Sequence, residues 1–181
     1  MLNIVTDRND AIKLSGNPCL LTVGSITYRK GQINLINALP EIINKYPNVH
    51  YHCVGLPFDR EHILHSAEKI NVGEYVSIHG FIQNNQLSSI YKQADVLIML
   101  SQNKIESGLE GFGIAILEAN LFGVPALGSI NTGIEDAIVQ NQTGVLVNPY
   151  SIKEIVEGID WLLQENNDLS QKTVDISFRH K

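Results

Sequence analysis

Short runs of β-branched and aliphatic residues alternate with amphipathic stretches along the whole chain. The first run, Cys19-Leu20-Leu21-Thr22-Val23-Gly24, is followed by Leu35, Ile36, Leu39, Ile42, Ile43 and Tyr46, spaced by three and four as one helix face requires. Pro40 falls inside that stretch and is expected to kink it or to start a new turn, and Pro47-Asn48 closes it. Positions 49–55 read as the next strand, and 59–70 as a helix turning Ile63, Leu64, Ala67 and Ile70 inward. A strand over 76–79 and a short helix over 87–93 follow. The unbroken apolar run over 95–100 has the pattern of a strand covered on both faces. Helix 113–122, strand 124–127, helix 133–139, strand 144–147 and helix 152–163 complete the series.

Six strands alternating with helices predict an α/β fold, a doubly wound, Rossmann-like parallel sheet of about six strands with helices on both faces. Ligands of such sheets sit beyond the carboxyl ends of the strands, so the functional loops are expected after Val23, Val54, Ile78, Leu100 and Leu127. The chain divides into a linker or N-terminal extension over 1–17, one ligand-binding domain over 18–165 and a polar tail over 166–181. That tail ends without turn or cap, so the chain is expected to be a fragment.

Composition narrows the partners. Of 181 residues, 44% are apolar and 18% charged, the balance of a globular domain able to bury a core. Thirteen Lys and Arg against nineteen Asp and Glu give a net charge of -6, which argues against nucleic acid as a partner. No run approaches about 18 apolar residues, and the first positions lack an apolar signal core, so a cytoplasmic location is expected. Cys19 and Cys53 lie in separate apolar runs and read as buried free thiols. His62-x-x-His65 and His50-x-His52 have ligand-like spacing, but no Cys, Asp or Glu set completes a tetrahedral site, so no metal is expected. His79 ends a strand at the ligand-facing edge and reads first as a satisfied structural histidine, with a ligand contact as the alternative.

Two common nucleotide signatures fail. Gly111-Phe112-Gly113-Ile114-Ala115-Ile116 has Ile where a dinucleotide fingerprint needs its third Gly, and it follows the fourth strand rather than the first. No G-x-x-x-x-G-K-[ST] segment exists. What remains is Glu110-Gly111-Phe112-Gly113 at the start of an amphipathic helix that carries Glu118. Backbone N–H groups at Phe112, Gly113 and Ile114 would form an anion site suited to a diphosphate. Gly111 and Gly113 remove side chains where a ligand must approach closely. Carboxylates only accept hydrogen bonds, so Glu110 and Glu118 would take sugar hydroxyls as partners.

Glu110-x7-Glu118, within Glu-Gly-Phe-Gly-Ile-Ala-Ile-Leu-Glu-Ala, resembles the signature of the retaining GT-B glycosyltransferases of the group-1 family. Further segments agree in order and spacing. These are Val23-Gly24 with Lys30-Gly31, His79-Gly80-Phe81 with Leu87, Tyr91 and Ala94-Asp95, Gly123-Val124-Pro125, Thr132-Gly133-Ile134-Glu135-Asp136, and Thr143-Gly144-Val145-Leu146-Val147. The resemblance covers about 19–165 and implies one half of a GT-B enzyme, the nucleotide-sugar donor domain, without the N-terminal acceptor half.

Carried over by position, the resemblance puts Lys30 on the diphosphate, Glu118 on the ribose and Glu110 on the donor sugar. Main chain at Phe112, Gly113 and Ile114 would hold phosphates and sugar, and main chain at Gly80, Phe81 and Ile82 would meet the base. Glu110 and Lys30 are the implied catalytic residues, with Gly24, Ser25, Arg29 and Gly111 completing the donor site. The diphosphate would leave without a metal, in keeping with the absence of any Asp-x-Asp, and no cofactor is implied beyond the nucleotide-sugar substrate. The whole enzyme would act on a polysaccharide or glycolipid precursor, with peripheral association at the inner membrane face open to it. Two departures stand out: Ser25 occupies the place of the usual Arg, with Arg29 four positions on, and 102–109 is a longer polar lead-in than the shortest members have. Two other readings of the same residues stay open, a non-catalytic nucleotide-sugar-binding module and a glycoside hydrolase using Glu110 and Glu118.

Overall fold

Among the described residues seven parallel strands carry the fold: β1 (Ile4–Val5), β2 (Cys19–Val23), β3 (His50–Val54), β4 (Val76–His79), β5 (Val96–Met99), β6 (Ala126–Ser129) and β7 (Gly144–Val147). The computed structural model of the chain describes residues 4–5, 12–102, 112–165, 169 and 173–174. The sheet order is β1-β4-β3-β2-β5-β6-β7. Counted from β2, its six longer strands run 3-2-1-4-5-6, the doubly wound order, and the direction of winding reverses between β2 and β5. The short β1, from the segment read as an extension, adds a strand at the β4 edge, with Ile4 beside Ile78 and Val5 beside His79.

Helices α1 (Gln32–Lys45), α2 (Arg60–Lys69) and α5 (Ile152–Gln164) cover one face, where Leu20, Tyr51, Cys53, Ile98 and Leu127 meet Leu35, Leu39, Ile63 and Ile159. Helices α3 (Asn84–Tyr91) and α4 (Ile114–Leu121) cover the other, over Leu21, Leu97, Met99 and Val54. Beyond α5, in the stretch set apart as a polar tail, Leu169 packs into the first of these cores and Thr173 is buried. Cys19 and Cys53 are buried free thiols, and burial pushes both up to about 12, which keeps them protonated and inert.

Three sequence expectations change. Pro40 does not divide its helix: α1 runs through it as one element, with the ring on the exposed side. The expected strand 124–127 begins two residues later, because Gly123 and Val124 finish the preceding helix. Gly123 takes a φ of 77°, its N–H bonds Asn120 O at 3.0 Å, and Val124 N–H bonds Ala119 O at 3.1 Å, the two bonds of a Schellman stop. The expected helix 133–139 shrinks to one 3-10 turn, Glu135–Ala137. Thr143 Oγ1 captures the Val139 N–H at 2.8 Å and turns the chain into β7 before another helical bond forms. By contrast α5 starts as its sequence suggests, with Ser151 Oγ accepting from Glu154 N at 3.2 Å.

Candidate functional site

The reversal of winding opens a crevice between the loops that leave β2 and β5, and hydrogen bonds lock those loops together. Gln102 N donates to Arg29 O at 2.8 Å, and the Asn34 amide donates to Leu100 O at 3.2 Å. Gly31, at φ 71°, lies so close that a Cβ there would stand 1.7 Å from Leu100 O. The chain reaches this point through a single 3-10 turn, Tyr28–Lys30, which delivers Arg29 and Lys30 to the rim. Lys30 lies over the first loop: a Cβ on Gly24, whose φ is 147°, would be 4.0 Å from its ammonium. The structure thus brings Gly24 and Lys30 together. Ser25 is half-buried, and its carbonyl accepts from the Gln32 amide at 3.1 Å.

The next loops along the edge are joined to this one. Gly55 packs against Gly24, where a Cβ would meet Gly24 O at 2.0 Å, and its N–H points at Gly80 O (3.2 Å) and His79 O (3.4 Å). Gly80, Phe81 and Ile82 therefore follow the rim, with Phe81 exposed and Ile82 turned into the core. On the other side of the crevice Gly113, at φ 75°, starts α4 with its carbonyl accepting from Ile116 N at 2.8 Å. Phe112 and Ile114 flank it and are exposed. Glu110 and Gly111, and with them the lead-in 103–109, lie outside the described residues.

Glu118, one turn into α4, is half-buried and does not merely reach for solvent. Tyr91, at the end of α3 and 1% exposed, donates its hydroxyl to Glu118 Oε2 at 2.7 Å. Burial first, then the carboxylate it touches, holds the Tyr91 phenol far above its usual range, so it stays a donor. The Tyr91 ring stacks on Phe122 with centroids 6.0 Å apart. One carboxylate oxygen is thereby fixed and the other remains to accept. Sequence reasoning noted Tyr91 only as part of a motif, since nothing local ties it to a residue 27 positions on. Asp95, from the same motif, is structural: its carboxylate accepts from Cys19 N at 2.7 Å and fastens the start of β2 to β5.

Buried polar groups in proteins are almost always paired. Among the described residues, Thr27 Oγ1, Gln32 Oε1 and Ser101 Oγ at this rim are buried without a hydrogen-bond partner. All three lie where the β2 and β5 loops converge, the place where a polar ligand would be needed.

The histidines form a different arrangement. His50, His52 and His79 stack on the sheet face opposite α1, with centroids 4.5 Å and 5.2 Å apart. His50 Nε2 pairs with Ser77 Oγ at 2.8 Å, His52 Nδ1 with His79 Nε2 at 3.0 Å, and His52 Nε2 with the Ser15 main chain. Among the described residues His79 Nδ1 has no partner, so the ring is only half satisfied. Burial lowers all three from the ordinary 6.5, His52 to about 4. The unfolded chain therefore binds protons between pH 6.5 and 4 that the folded chain refuses, so stability falls as pH falls through that window. For His52 alone the loss between pH 7 and pH 5 is about 2 kcal/mol. Urea unfolding at the two pH values should show it, and His52→Gln should shrink the difference; an equal difference in that variant would assign the loss to other groups.

Among the described residues no helix is long and apolar enough to cross a membrane. A family model described as Glycosyl transferases group 1 matches residues 4–176. An uncharacterized glycosyltransferase of Methanocaldococcus jannaschii is 32% identical over 146 residues, which cover 81% of this chain and 36% of that protein. A GDP-mannose-dependent alpha-(1-6)-phosphatidylinositol monomannoside mannosyltransferase of Mycobacterium tuberculosis is 27% identical over 152 residues, 83% of this chain and 40% of that one. The chain thus spans well under half the length of these relatives. Among solved structures, the C-terminal domain of a glycosyl transferase group 1 family protein from Francisella tularensis superposes with a TM-score of 0.77 at 23% identity, covering 92% of this chain and 87% of that domain. An Anabaena protein solved with UDP and glucose gives 0.77 at 20% identity, over 90% of this chain and 44% of its own. With the family model matched from β1 to beyond α5, the chain belongs to the glycosyl transferase group 1 family.

Proposed function

We propose that this chain is the donor-binding half of a retaining glycosyltransferase, one that takes a sugar from a nucleotide-diphosphate sugar without a metal. The observation that carries the proposal is the Glu118 carboxylate, held by Tyr91 on the helix that begins at Gly113. A carboxylate oriented in this way suits the hydroxyls of a ribose, and the start of α4 suits the phosphates. Lys30 above Gly24 would neutralise the diphosphate as it leaves, with Arg29 on the same turn. Gly80 to Ile82 would meet the base, and Glu110 would hold the donor sugar. Retention places the new bond on the face from which the diphosphate departs, so charge stabilisation there is the main task of this half. The acceptor, a polysaccharide or glycolipid precursor, would be held by a second, N-terminal half. The UDP-bound Anabaena structure and the GDP-mannose-dependent relative support a nucleotide-sugar donor.

Calorimetry with UDP-, GDP- and ADP-linked sugars in EDTA tests the proposal. One nucleotide class should bind in the micromolar range, about -8 kcal/mol. A folded chain that binds none of the three, with or without added magnesium, would overturn it, and binding only with magnesium would overturn its metal-free part.

A further inference from the structure

The carboxyl ends of α3 and α4 meet through their side chains. The Tyr91 ring stacks on Phe122 with 13° between the planes, and the Lys92 ammonium stands over the Phe122 ring, 5.5 Å from its centroid. Phe122 comes four positions after Glu118, which brings the two to the same side of α4. We infer that Phe122 is a positioning residue for the Glu118 carboxylate and acts through Tyr91.

The argument starts from the bond between Tyr91 and Glu118. The Tyr91 hydroxyl is the far end of its side chain, so a small swing of the ring breaks its 2.7 Å bond to Glu118 Oε2. Tyr91 belongs to the core on this face of the sheet, whereas Phe122 is 36% exposed and forms the solvent side of the stack. Offset aromatic pairs attract beyond the area they bury, so the Phe122 ring resists that swing. Its removal would admit water to a phenol and a carboxylate whose bond is stronger without it. The Glu118 side chain would then regain the rotamers that the bond denies it.

Phe122 is itself held. Its N–H bonds Ala119 O at 2.9 Å, and Gly123, at φ 77°, stops the helix directly after it. Lys92 caps α3, where a cation suits the negative end of the helix, and adds its charge over the ring. An exposed Phe at a helix end is ordinary by itself. Contact with the side chain that grips Glu118 is what gives this one a role. The consequence is specificity: Phe122 sets how strongly the site prefers a nucleotide that carries its ribose hydroxyls. That consequence rests on the proposed function, whereas the grip on Tyr91 does not.

Two measurements test the inference on the wild-type chain, Phe122→Ala and Phe122→Tyr. Phe122→Leu, which keeps bulk but no flat ring, replaces the alanine variant should that one fail to fold. Calorimetry compares UDP with 2′,3′-dideoxy-UDP and GDP with 2′,3′-dideoxy-GDP. In Phe122→Ala the preference for the hydroxylated nucleotide is expected to fall about threefold to tenfold, with dideoxynucleotide affinity unchanged. Phe122→Tyr keeps the flat ring and is expected to restore the preference. A merely structural ring would lower both affinities together, and that result, or an unchanged preference, overturns the inference. Proton NMR of the free chain reads the grip without any nucleotide. The Tyr91 hydroxyl proton is expected to exchange with water severalfold faster in Phe122→Ala than in the wild type. Equal exchange in the two chains overturns the inference. Failure of every nucleotide to bind defeats the proposed function, and wild-type indifference to the ribose hydroxyls defeats its ribose contact. In either case the hydroxyl proton decides whether Phe122 holds Tyr91 on Glu118.

Discussion

Gly31→Ala is expected to destabilise the chain by at least about 3 kcal/mol. Two costs combine. The residue sits at φ 71°, where an L side chain alone costs about 1–2 kcal/mol. The added Cβ would also stand 1.7 Å from Leu100 O and 2.5 Å from Leu100 C, backbone atoms that cannot rotate away. Relief requires the β2 loop to part from the end of β5. That separation would also strain the Gln102 N to Arg29 O bond and carry Lys30 away from Gly24. Donor binding should therefore fall together with stability. Urea unfolding checks the first effect, with Gly80→Ala as control, because nothing lies within 4 Å of a Cβ at Gly80. The control should shift by less than about 0.5 kcal/mol. Equal stability of the two variants would show that the two loops are not rigidly docked.

The second large effect is expected at Glu118. Its hydrogen bonds to ribose hydroxyls would be charge-assisted, each worth about 1.5–3 kcal/mol, so Glu118→Ala should weaken donor binding about 10- to 100-fold. The same change leaves the Tyr91 hydroxyl, on a residue 1% exposed, without its acceptor at 2.7 Å. That should cost a further 1–3 kcal/mol or so of stability. Glu118→Gln offers Tyr91 an acceptor again and should recover stability, while donor affinity stays reduced because the charge is gone. Tyr91→Phe frees the carboxylate to swing and should cost about threefold to tenfold in donor affinity. The split between stability and affinity across these three variants separates an oriented ligand group from a structural pair. Loss of stability with full retention of donor affinity in Glu118→Gln would remove Glu118 from the donor site.

The periodicity of the chain was a faithful guide wherever local pattern and tertiary packing agreed. Strands 76–79 and 144–147 fall where the sequence placed them: Val76 and Ile78 alternate with polar residues, Val145-Leu146-Val147 run together, and neither segment holds competing turn chemistry. Positions 124–127 and 133–139 misled for a local reason of another kind. Gly123 and Val124 look like the entry to a strand but complete a helix stop, and Thr143 takes an N–H that an apolar repeat would have given to a helix. The Glu110, Gly113 and Glu118 spacing suggested a candidate site from the sequence because it lies within one segment. Tyr91 was legible only as a motif letter.

By itself, then, the sequence determined the alternation of strands and helices, the net charge and the motif that resembles its family's signature. Those properties depend on residues a few positions apart. The tertiary structure alone decided the strand order that opens the crevice between β2 and β5, the grip of Tyr91 on Glu118, and the stack of His50, His52 and His79. It also decided that Gly31 must have no side chain, since Leu100 O occupies the space a Cβ would need. Each of these joins groups far apart in the chain, and such contacts are fixed by how layers pack on the sheet rather than by any repeat along it.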